Sequence, residues 1–208
     1  MADVKISALP AADSALGADE LPVNEAGTSK KLTLTQVQTL IQVMNYSVAS
    51  QAITAATLTY ITGSMITVPV GKLRIGTILR WKFNITKTGA GTALSTYTVV
   101  VGTLGTTGDT ARLSFTKPAG TGVADEGFIE ITAIVRGPLS ASGIMVGEFV
   151  MAHNLAATGH ATIPNVCVNV VSGTFDVTVA NLKVGVCITS GASDAITIQQ
   201  VVAEAINL

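Results

Sequence analysis

The chain has 208 residues, of which 12% are charged and 4% aromatic, and its formal net charge is −1. Soluble domains usually carry about 25% charged residues, so part of this surface is expected to face something other than water. Twelve basic residues balance thirteen acidic ones, and no basic run exceeds Lys30-Lys31. This balance argues against a surface that binds nucleic-acid phosphates.

Two uncharged stretches, residues 88–108 and 154–175, are rich in Gly, Thr, Ser and Asn. A membrane-spanning helix needs about 20 predominantly apolar residues, so neither stretch predicts one. Charged residues are depleted at the cores of protein interfaces. The composition therefore predicts uncharged faces that pack against further copies of the chain.

Residues 1–32 are predicted to form an extended N-terminal docking arm. Prolines and glycines separate single apolar residues there, and the start of the chain lacks the apolar core of a secretory signal. Synthesis in the cytoplasm is therefore expected. Such a segment cannot bury enough surface to fold alone, so it should order on another protein. The expected contact residues are Ile6, Leu9, Pro10, Leu21, Pro22, Val23, Lys30 and Lys31.

A short amphipathic helix and linker are predicted over residues 33–48, with the helix near 34–45. Thr33 or Thr35 can cap its first turn. Its apolar face either covers the end of the β domain or self-associates around an oligomer axis. The residues on that face are Leu34, Val37, Leu40, Ile41 and Met44.

From residue 49 to 208 the apolar pattern has a period of two, which is typical of half-buried strands. Turn-forming clusters of Gly, Pro, Ser and Asp separate about ten such runs, so the region predicts an all-β, antiparallel, jelly-roll-like β-sandwich. Trp81 falls on a buried phase, and the final run AITIQQVVAEAINL is predicted to be a strand. The alternating apolar positions are Trp81, Phe83 and Ile85; Leu113 and Phe115; Ile129, Ile131, Ala133 and Val135; and Phe175, Val177 and Val179.

No residue pattern predicts an enzyme, a cofactor or a metal site. His153 and His160 match no zinc-binding spacing and are predicted to be loop residues. No Gly-x-Ser-x-Gly motif for a nucleophilic serine occurs. The carboxylates are predicted to be solvated, in turns or on outward strand positions: Asp109, Asp125, Glu126, Asp176 and Asp194.

Cys167 and Cys187 lie in the apolar alternating runs NVCVNVV and VGVCITS. Free cysteine in such runs usually behaves as a small buried hydrophobe. In a protein made in the cytoplasm this favours reduced thiols. A disulfide between adjacent strands is the alternative.

The leader contains Ile-Ser-x-Leu-Pro, Asp-x-x-Pro-Val and Gly-Thr-x-Lys-Lys steps followed by a threonine-containing apolar segment. The matching residues are Ile6–Pro10, Asp19–Val23, Gly27–Lys31 and Thr33–Ile41. In this order it resembles the leader of many tailed-bacteriophage virion proteins. The segments TYTVVVGTLGTTGDTARLSFT, HNLAATG and FDVTVANLKVGVCI are similar to trimeric jelly-roll modules of phage fibre and capsid-decoration proteins.

The resemblance implies a virion component that forms a homotrimer and whose arm docks on the major capsid protein, or on a tail or portal protein. A capsid cement or decoration protein on the capsid surface is favoured, because the chain is short and lacks a repeated shaft. The first alternative is a short head or tail fibre that binds a host receptor through Tyr60, Tyr97 or Trp81. The second is a carbohydrate-active enzyme that uses Asp125 and Glu126.

Overall fold

The computed structural model describes residues 20–25, 28–34, 42–53, 55–89, 91–191 and 196–208. The chain divides into two compact units, residues 1–41 and 42–208. Within the described ranges, no helix is both long enough and apolar enough to cross a membrane. The strands are β1 (Glu20–Glu25), β2 (Thr28–Thr33), β3 (Gln42–Ser47), β4 (Gln51–Ala52), β5 (Leu58–Tyr60), β6 (Ile66–Val68), β7 (Ile78–Lys87), β8 (Ser95–Gly102), β9 (Thr110–Lys117), β10 (Asp125–Gly137), β11 (Ile144–His153), β12 (Asn165–Val171), β13 (Leu182–Thr189) and β14 (Ile196–Ile206).

In the first unit, β1 and β2 pair antiparallel as a two-stranded sheet. Leu21 lies opposite Leu32, and Lys31 forms an exposed ion pair of 2.7 Å with Glu20. The described part of the predicted arm is therefore a hairpin and not one extended segment. Complementary cross-strand pairs provide the reason, because they favour pairing over an isolated extended chain.

The second unit consists of two antiparallel sheets that form a sandwich, which confirms the predicted fold class. The seven-stranded sheet has the order β12-β11-β10-β7-β14-β3, with β4 also paired to β14. The five-stranded sheet has the order β5-β13-β8-β9, with β6 also paired to β13. From β7 onward, the chain alternates between the two sheets. β7, β10 to β12 and β14 belong to the seven-stranded sheet, and β8, β9 and β13 belong to the five-stranded sheet.

The core lies between the inward faces of the two sheets, as the alternating pattern predicts. Trp81 is fully buried, and its indole nitrogen donates a 2.7 Å hydrogen bond to the Ser64 carbonyl. Phe149 from the seven-stranded sheet contacts Tyr97 and Phe115 from the other sheet, with ring centroids 5.1 and 5.7 Å apart. One pair is tilted and the other is stacked, and both contacts join the two sheets.

Gly147 on β11 allows this close approach of the sheets. A Cβ atom at this position would come within 2.5 Å of Leu113 Cδ1 and 2.8 Å of Phe115 Cζ. Both are side-chain atoms of β9, on the opposite sheet. Packing therefore favours glycine here, because any larger residue would force the Leu113 and Phe115 side chains to shift, although the position itself continues a regular strand.

Residues 42–45, predicted as the end of a helix, are part of strand β3, so this prediction is wrong for Met44. Residues 35–41, which include Val37, Leu40 and Ile41, lie outside the described residues. β3 pairs antiparallel with β14, from Gln42 opposite Ile206 to Ser47 opposite Val201. Hydrogen bonding to the edge of β14 outweighs the helical spacing of the apolar residues, because tertiary pairing overrides local periodicity.

Residues 175–179 were also predicted as a strand, and the structure contradicts this. Phe175 forms only an isolated bridge with Gly143, and turns follow it. The Asp176 carboxylate accepts hydrogen bonds from the Thr178 amide, at 2.8 Å, and the Thr178 hydroxyl, at 2.6 Å. This Asx turn replaces ladder pairing, while Phe175 and Val177 remain buried.

The burial of Trp81 predicts a large loss of stability on truncation. Trp81→Ala should lower the free energy of unfolding by about 3–5 kcal/mol, because it leaves a cavity and an unpaired Ser64 carbonyl. Tyr46→Ala is the matched control, since its side chain is 69% exposed; it should change stability by no more than about 0.5 kcal/mol. Urea unfolding at one fixed protein concentration measures both, and equal losses would contradict the assigned core.

Candidate functional site

The outward face of the seven-stranded sheet carries the candidate site, and strand register arranges its side chains in rows. We call the row of Gln200, Asn84, Phe128, Ala152 and Asn165 the amide row, because three of its members are amides. We call the row at the other end of the same strands the aliphatic row. Its members are Ile206, Ile78, Ile134, Val146 and Val171.

Five charged side chains lie between the two rows, and four of them form ion pairs. Arg80 on β7 forms an ion pair with Glu204 on β14. Lys82, also on β7, lies 3.1 Å from Glu130 on β10. A fifth charged residue, Glu148 on β11, lies opposite Thr132 on the same face and accepts a hydrogen bond from the Cys167 thiol. The centre of this face therefore has two ion pairs and one further carboxylate.

A shallow groove of about 860 Å³ surrounds the end of the sheet that carries the amide row. Phe128 is 45% exposed in this groove. The remaining lining residues are mostly polar or small: Asn84, Ile85, Thr86, Glu126, Gly127, Ala152, His153, Asn154 and Gln199.

The exposed aromatic residues differ from those that the sequence suggested for a receptor platform. Trp81 and Tyr97 are fully buried, and Tyr60 is half-buried. On the outer sheet face, Phe128 and Tyr46 are exposed instead. The alternation of β10 contains the signal for Phe128, because it is out of phase with the buried Ile129 and Ile131.

A cluster of buried ionisable side chains lies beside the groove, where β7, β9, β10 and β11 end. His153 Nδ1 lies 2.7 Å from Asp125 Oδ2, and both side chains are fully buried. The Asp125 carboxylate also accepts hydrogen bonds from the amides of His160, at 3.0 Å, and Glu126, at 2.9 Å. Gly159, with φ of +87°, leaves the space for this carboxylate, since a Cβ there would overlap Asp125.

Two buried lysines complete this cluster by binding backbone carbonyls. Lys117 Nζ donates to the carbonyls of Pro118, at 2.7 Å, and His160, at 2.5 Å. Lys87 Nζ donates to the carbonyls of Thr88, Thr121 and Val123 at 2.6 to 3.1 Å. Each ammonium group thus fixes the loops that close this end of the sandwich, and its burial is compensated by hydrogen bonds.

The cluster shifts the pKa of two of its members downward. Burial lowers the pKa of His160 to about 4; Asp125 opposes this shift, and the nearby Lys117, His153 and Lys87 add to it. Burial alone would raise the pKa of Asp125, but hydrogen bonds from the His160 amide, the His153 ring and the Glu126 amide hold it below its usual value. Asp125 is therefore ionised and His160 neutral at pH 7.

The arrangement supports a structural role for His153 and not a catalytic one. A carboxylate that orients an imidazole is half of a nucleophilic triad, but His153 Nε2 lies 2.7 Å from the Ile163 carbonyl. A carbonyl only accepts hydrogen bonds, so this nitrogen donates and is unavailable as a base. The Asp125–His153 pair instead holds the loop around Ile163 beside the groove.

Asp125 is buried and not solvated, and His153 lies at the end of β11 and not in a loop. His160 lies in a turn, as predicted, but it is fully buried. A signal for them was present in the alternating pattern. Lys87 continues the buried phase of Trp81, Phe83 and Ile85, as Lys117 continues that of Leu113 and Phe115. Asp125 precedes Ile129 and Ile131 in the same phase. Extending each alternation by one or two steps therefore indicates buried charges at one end of the sandwich.

The other predicted site residues are not brought together by the structure. Leu21 is 44% exposed, and Pro22, Lys30 and Lys31 are exposed on the hairpin. Val23 lies on β1, and Leu34 is half-buried. Ile6, Leu9 and Pro10 lie outside the described residues. Their docking role remains a prediction.

The remaining carboxylates and the cysteines have separate surroundings. Asp109 accepts hydrogen bonds from the amides of Leu104 and Gly105 at 3.0 and 2.6 Å, which closes a turn. Asp194 lies outside the described residues. Cys167 is exposed on β12 and Cys187 is buried on β13, so the two free thiols lie in different sheets.

Over the part of the chain that the structure describes, no three His, Cys, Asp or Glu side chains are placed to hold a metal ion. The cluster around Asp125 has its acceptor oxygens occupied by amides and by an imidazole. Its chemistry is that of an internal support for the groove.

No protein-family model and no curated protein matches the chain. Among solved structures, the chain aligns with the CBM2 module of the evolved Dit of Lactobacillus casei BL23 phage J-1. The two are 8% identical, and the alignment covers 81% of this chain and 98% of that chain with a TM-score of 0.31. A TM-score this low does not establish a shared fold or function.

The lowered pKa of His160 predicts that acid destabilises the protein. Histidine in an unfolded chain titrates near pH 6.5, so between pH 6.5 and about 4 the unfolded state binds more protons than the folded state. The free energy of unfolding should therefore fall by about 2–3 kcal/mol across this window as the pH decreases. Below about pH 3.8, protonation of Asp125 adds a loss of the same sign.

His160→Leu is the matched control for this pH dependence. Both ring nitrogens of His160 are buried without a hydrogen-bond partner, so an apolar side chain loses no such bond. The His160 amide would still donate to Asp125. Urea unfolding at several pH values should show a shallower slope between pH 4 and 6.5 for the variant, and identical slopes would contradict the assignment.

Proposed function

We propose that this protein is a non-catalytic structural subunit of a tailed-phage virion, specifically a cement or decoration protein on the capsid surface. Its β-sandwich forms a homotrimer, and its N-terminal unit docks on the major capsid protein. The single observation that carries the assembly part of this proposal is the aliphatic row on the outer face of the seven-stranded sheet.

The aliphatic row crosses five neighbouring strands, a distance of about 19 Å at about 4.8 Å per strand. Ile134 and Val171 are 44% and 57% exposed, and Ile206, Ile78 and Val146 are half-buried. Each square ångström of apolar surface removed from water stabilises an association by about 25 cal/mol before entropic costs. A second copy of the chain is therefore a suitable cover for this row.

The charges that border the row are partly compensated within the chain. Arg80 is already paired with Glu204, so covering either of these side chains leaves no uncompensated charge, which would otherwise oppose association. Glu148, opposite Thr132, and Arg136, two residues beyond Ile134, also border the row and are exposed, so they would lie at the solvated rim of the interface. The low charge content of the whole chain agrees with such an interface.

The start of the second unit lies at one end of the aliphatic row. β3 begins at Gln42, whose register partner is Ile206. Three copies that associate through their aliphatic rows would thus form one assembly that carries three N-terminal units. Linked units raise one another's effective concentration at a target, which gives an avidity that no single unit has.

The phage assignment rests on the leader, with its Ile6–Pro10, Asp19–Val23 and Gly27–Lys31 steps. In the described hairpin, the exposed Leu21 and Pro22 offer apolar contacts and Lys31 is exposed beside Glu20. These features suit attachment to another protein surface. A tail or portal protein is the alternative partner.

A second candidate function is that of a short fibre protein that contacts the host cell. The exposed Phe128 in its groove favours this reading, because a receptor platform needs an accessible aromatic ring. The two functions differ in the surface that they use, so attachment and receptor binding can be measured separately.

The proposed interface predicts that a charge in the aliphatic row dissociates the trimer. Ile134→Lys combined with Val171→Lys should change the mass measured by light scattering from three times 21.2 kDa to a single 21.2 kDa chain. Two unpaired lysines in an apolar interface would cost several kcal/mol of association energy. The matched control is Thr116→Lys, an exposed strand position on the five-stranded sheet, which should remain trimeric. A wild-type monomer at micromolar concentration would contradict the proposal.

The docking role predicts the result of deleting residues 2–41, which removes the first unit up to the start of β3. The shortened protein should remain trimeric and folded by circular dichroism, because its core lies in the second unit. It should no longer sediment with phage heads assembled without the native protein, whereas the full chain should. Retained attachment would assign docking to the β-sandwich instead.

A further inference from the structure

We propose that the groove around Phe128 binds a neutral oligosaccharide, such as a stretch of cell-surface polysaccharide. This site is distinct from the aliphatic row and adds a ligand-binding activity to the structural role. Its ligand class follows from the aromatic ring, the unused amides and the charge of the groove.

Phe128 supplies the apolar contact. Its ring is 45% exposed at the centre of the amide row, with Asn84 as its register partner on β7 and Ala152 on β11. The methyl group of Ala152 is too short to cover a phenyl ring. A sugar ring has one face of C–H groups, which can stack on an exposed aromatic face and so remove both from water.

The amides supply the polar contacts. The side chains of Asn84 and Asn154 form no hydrogen bond with the part of the chain that the structure describes, although both line the groove. Gln199 donates through Nε2 to the Thr86 hydroxyl at 3.0 Å, so its side-chain carbonyl oxygen can accept a hydrogen bond from a ligand. An amide both donates and accepts, and a sugar hydroxyl does the same, so the two groups are complementary.

The charge of the groove excludes other ligand classes. Glu126 and His153 are the only lining residues that can ionise. Both nitrogens of His153 are occupied, by Asp125 and by the Ile163 carbonyl. Glu126 would repel an anion, and Lys82 in the adjacent row is paired with Glu130. A nucleic acid or an acidic glycan would require basic residues here.

The shape of the groove suits an extended chain molecule. It is shallow, has a volume of about 860 Å³, and is lined by residues of four neighbouring strands, β14, β7, β10 and β11, which span about 14 Å. The middle of a sheet offers no free backbone edge, so an added peptide strand cannot pair there. Several sugar rings can follow the row, with one of them placed over Phe128.

The buried cluster holds the groove in its binding geometry. His153 lines the groove and is fixed by its 2.7 Å contact with Asp125. The backbone amide of the adjacent Asn154 donates a 2.9 Å hydrogen bond to the Glu126 carbonyl. Side chains on rigid strands lose little freedom when a ligand binds, which lowers the entropic cost of association.

The groove remains accessible in the proposed trimer. Phe128 and Ile134 are six residues apart on β10, and a strand rises about 3.4 Å per residue, so they are separated by about 20 Å. An interface along the aliphatic row and a ligand on the amide row can therefore exist together.

A glycan array followed by titration tests this inference on the full-length protein. The probes are neutral oligosaccharides of glucose, galactose, rhamnose and N-acetylglucosamine, with heparin fragments, polygalacturonate fragments and oligo-dT as anionic probes. We expect binding to at least one neutral probe and none to the anionic ones. Isothermal titration with that neutral probe should show at least a tenfold loss of affinity for Phe128→Ala and a threefold to tenfold loss for Asn84→Ala.

Tyr46→Ala is the matched control, because Tyr46 is the other exposed aromatic residue on this sheet face and does not line the groove. The affinity of the Tyr46→Ala variant for the neutral probe should equal that of the wild-type protein. Near-ultraviolet circular dichroism and light scattering verify that each variant keeps its fold and its mass. The inference is overturned if no neutral probe binds, if the anionic probes bind instead, or if Phe128→Ala binds as tightly as wild type.

Discussion

The strict alternation of side chains across each strand is the constraint on which the molecule depends. Because Trp81, Phe83 and Ile85 are buried against the second sheet, the residues between them must lie on the outer face of the first. Antiparallel register then aligns outward residues of five strands into rows. Both the amide row and the aliphatic row are thus consequences of how the core packs.

The buried charges show how the same alternation is used at the end of the sandwich. Lys87 and Lys117 occupy inward-facing positions at the ends of their strands. The loops that cover the core there have backbone carbonyls that need hydrogen-bond donors. Their ammonium groups bind those carbonyls directly, and Asp125 fixes His153 and the His160 amide. These buried charged groups stabilise the loops that border the groove. The polar cluster therefore links the packing of the core to the geometry of the groove.

The sequence predicts the parts of the fold that depend on local alternation and fails where long-range contacts decide. β7, β9 and β10 follow from their period of two, and β14 follows from its β-branched residues, because its periodicity fits a strand or a short helix. Met44 was assigned to a helix because the spacing of neighbouring apolar residues is helical, yet pairing with β14 makes it part of a strand. The turn after Phe175 depends on one Asp176 side chain that binds its own backbone. Of the candidate site, Phe128 is not predicted from the sequence, because an apolar residue on the exposed phase of a strand does not by itself indicate a ligand.

Strand β3 also has a mechanical consequence. It is the first strand after the first unit, and six register pairs, from Gln42 opposite Ile206 to Ser47 opposite Val201, attach it to β14. Any tension applied through the N-terminal unit enters the sandwich at Gln42. When the tension acts along the strand axis, all of these pairs resist it together in shear. The C-terminal strand of the chain thereby serves as the anchor for force received at its N-terminal part.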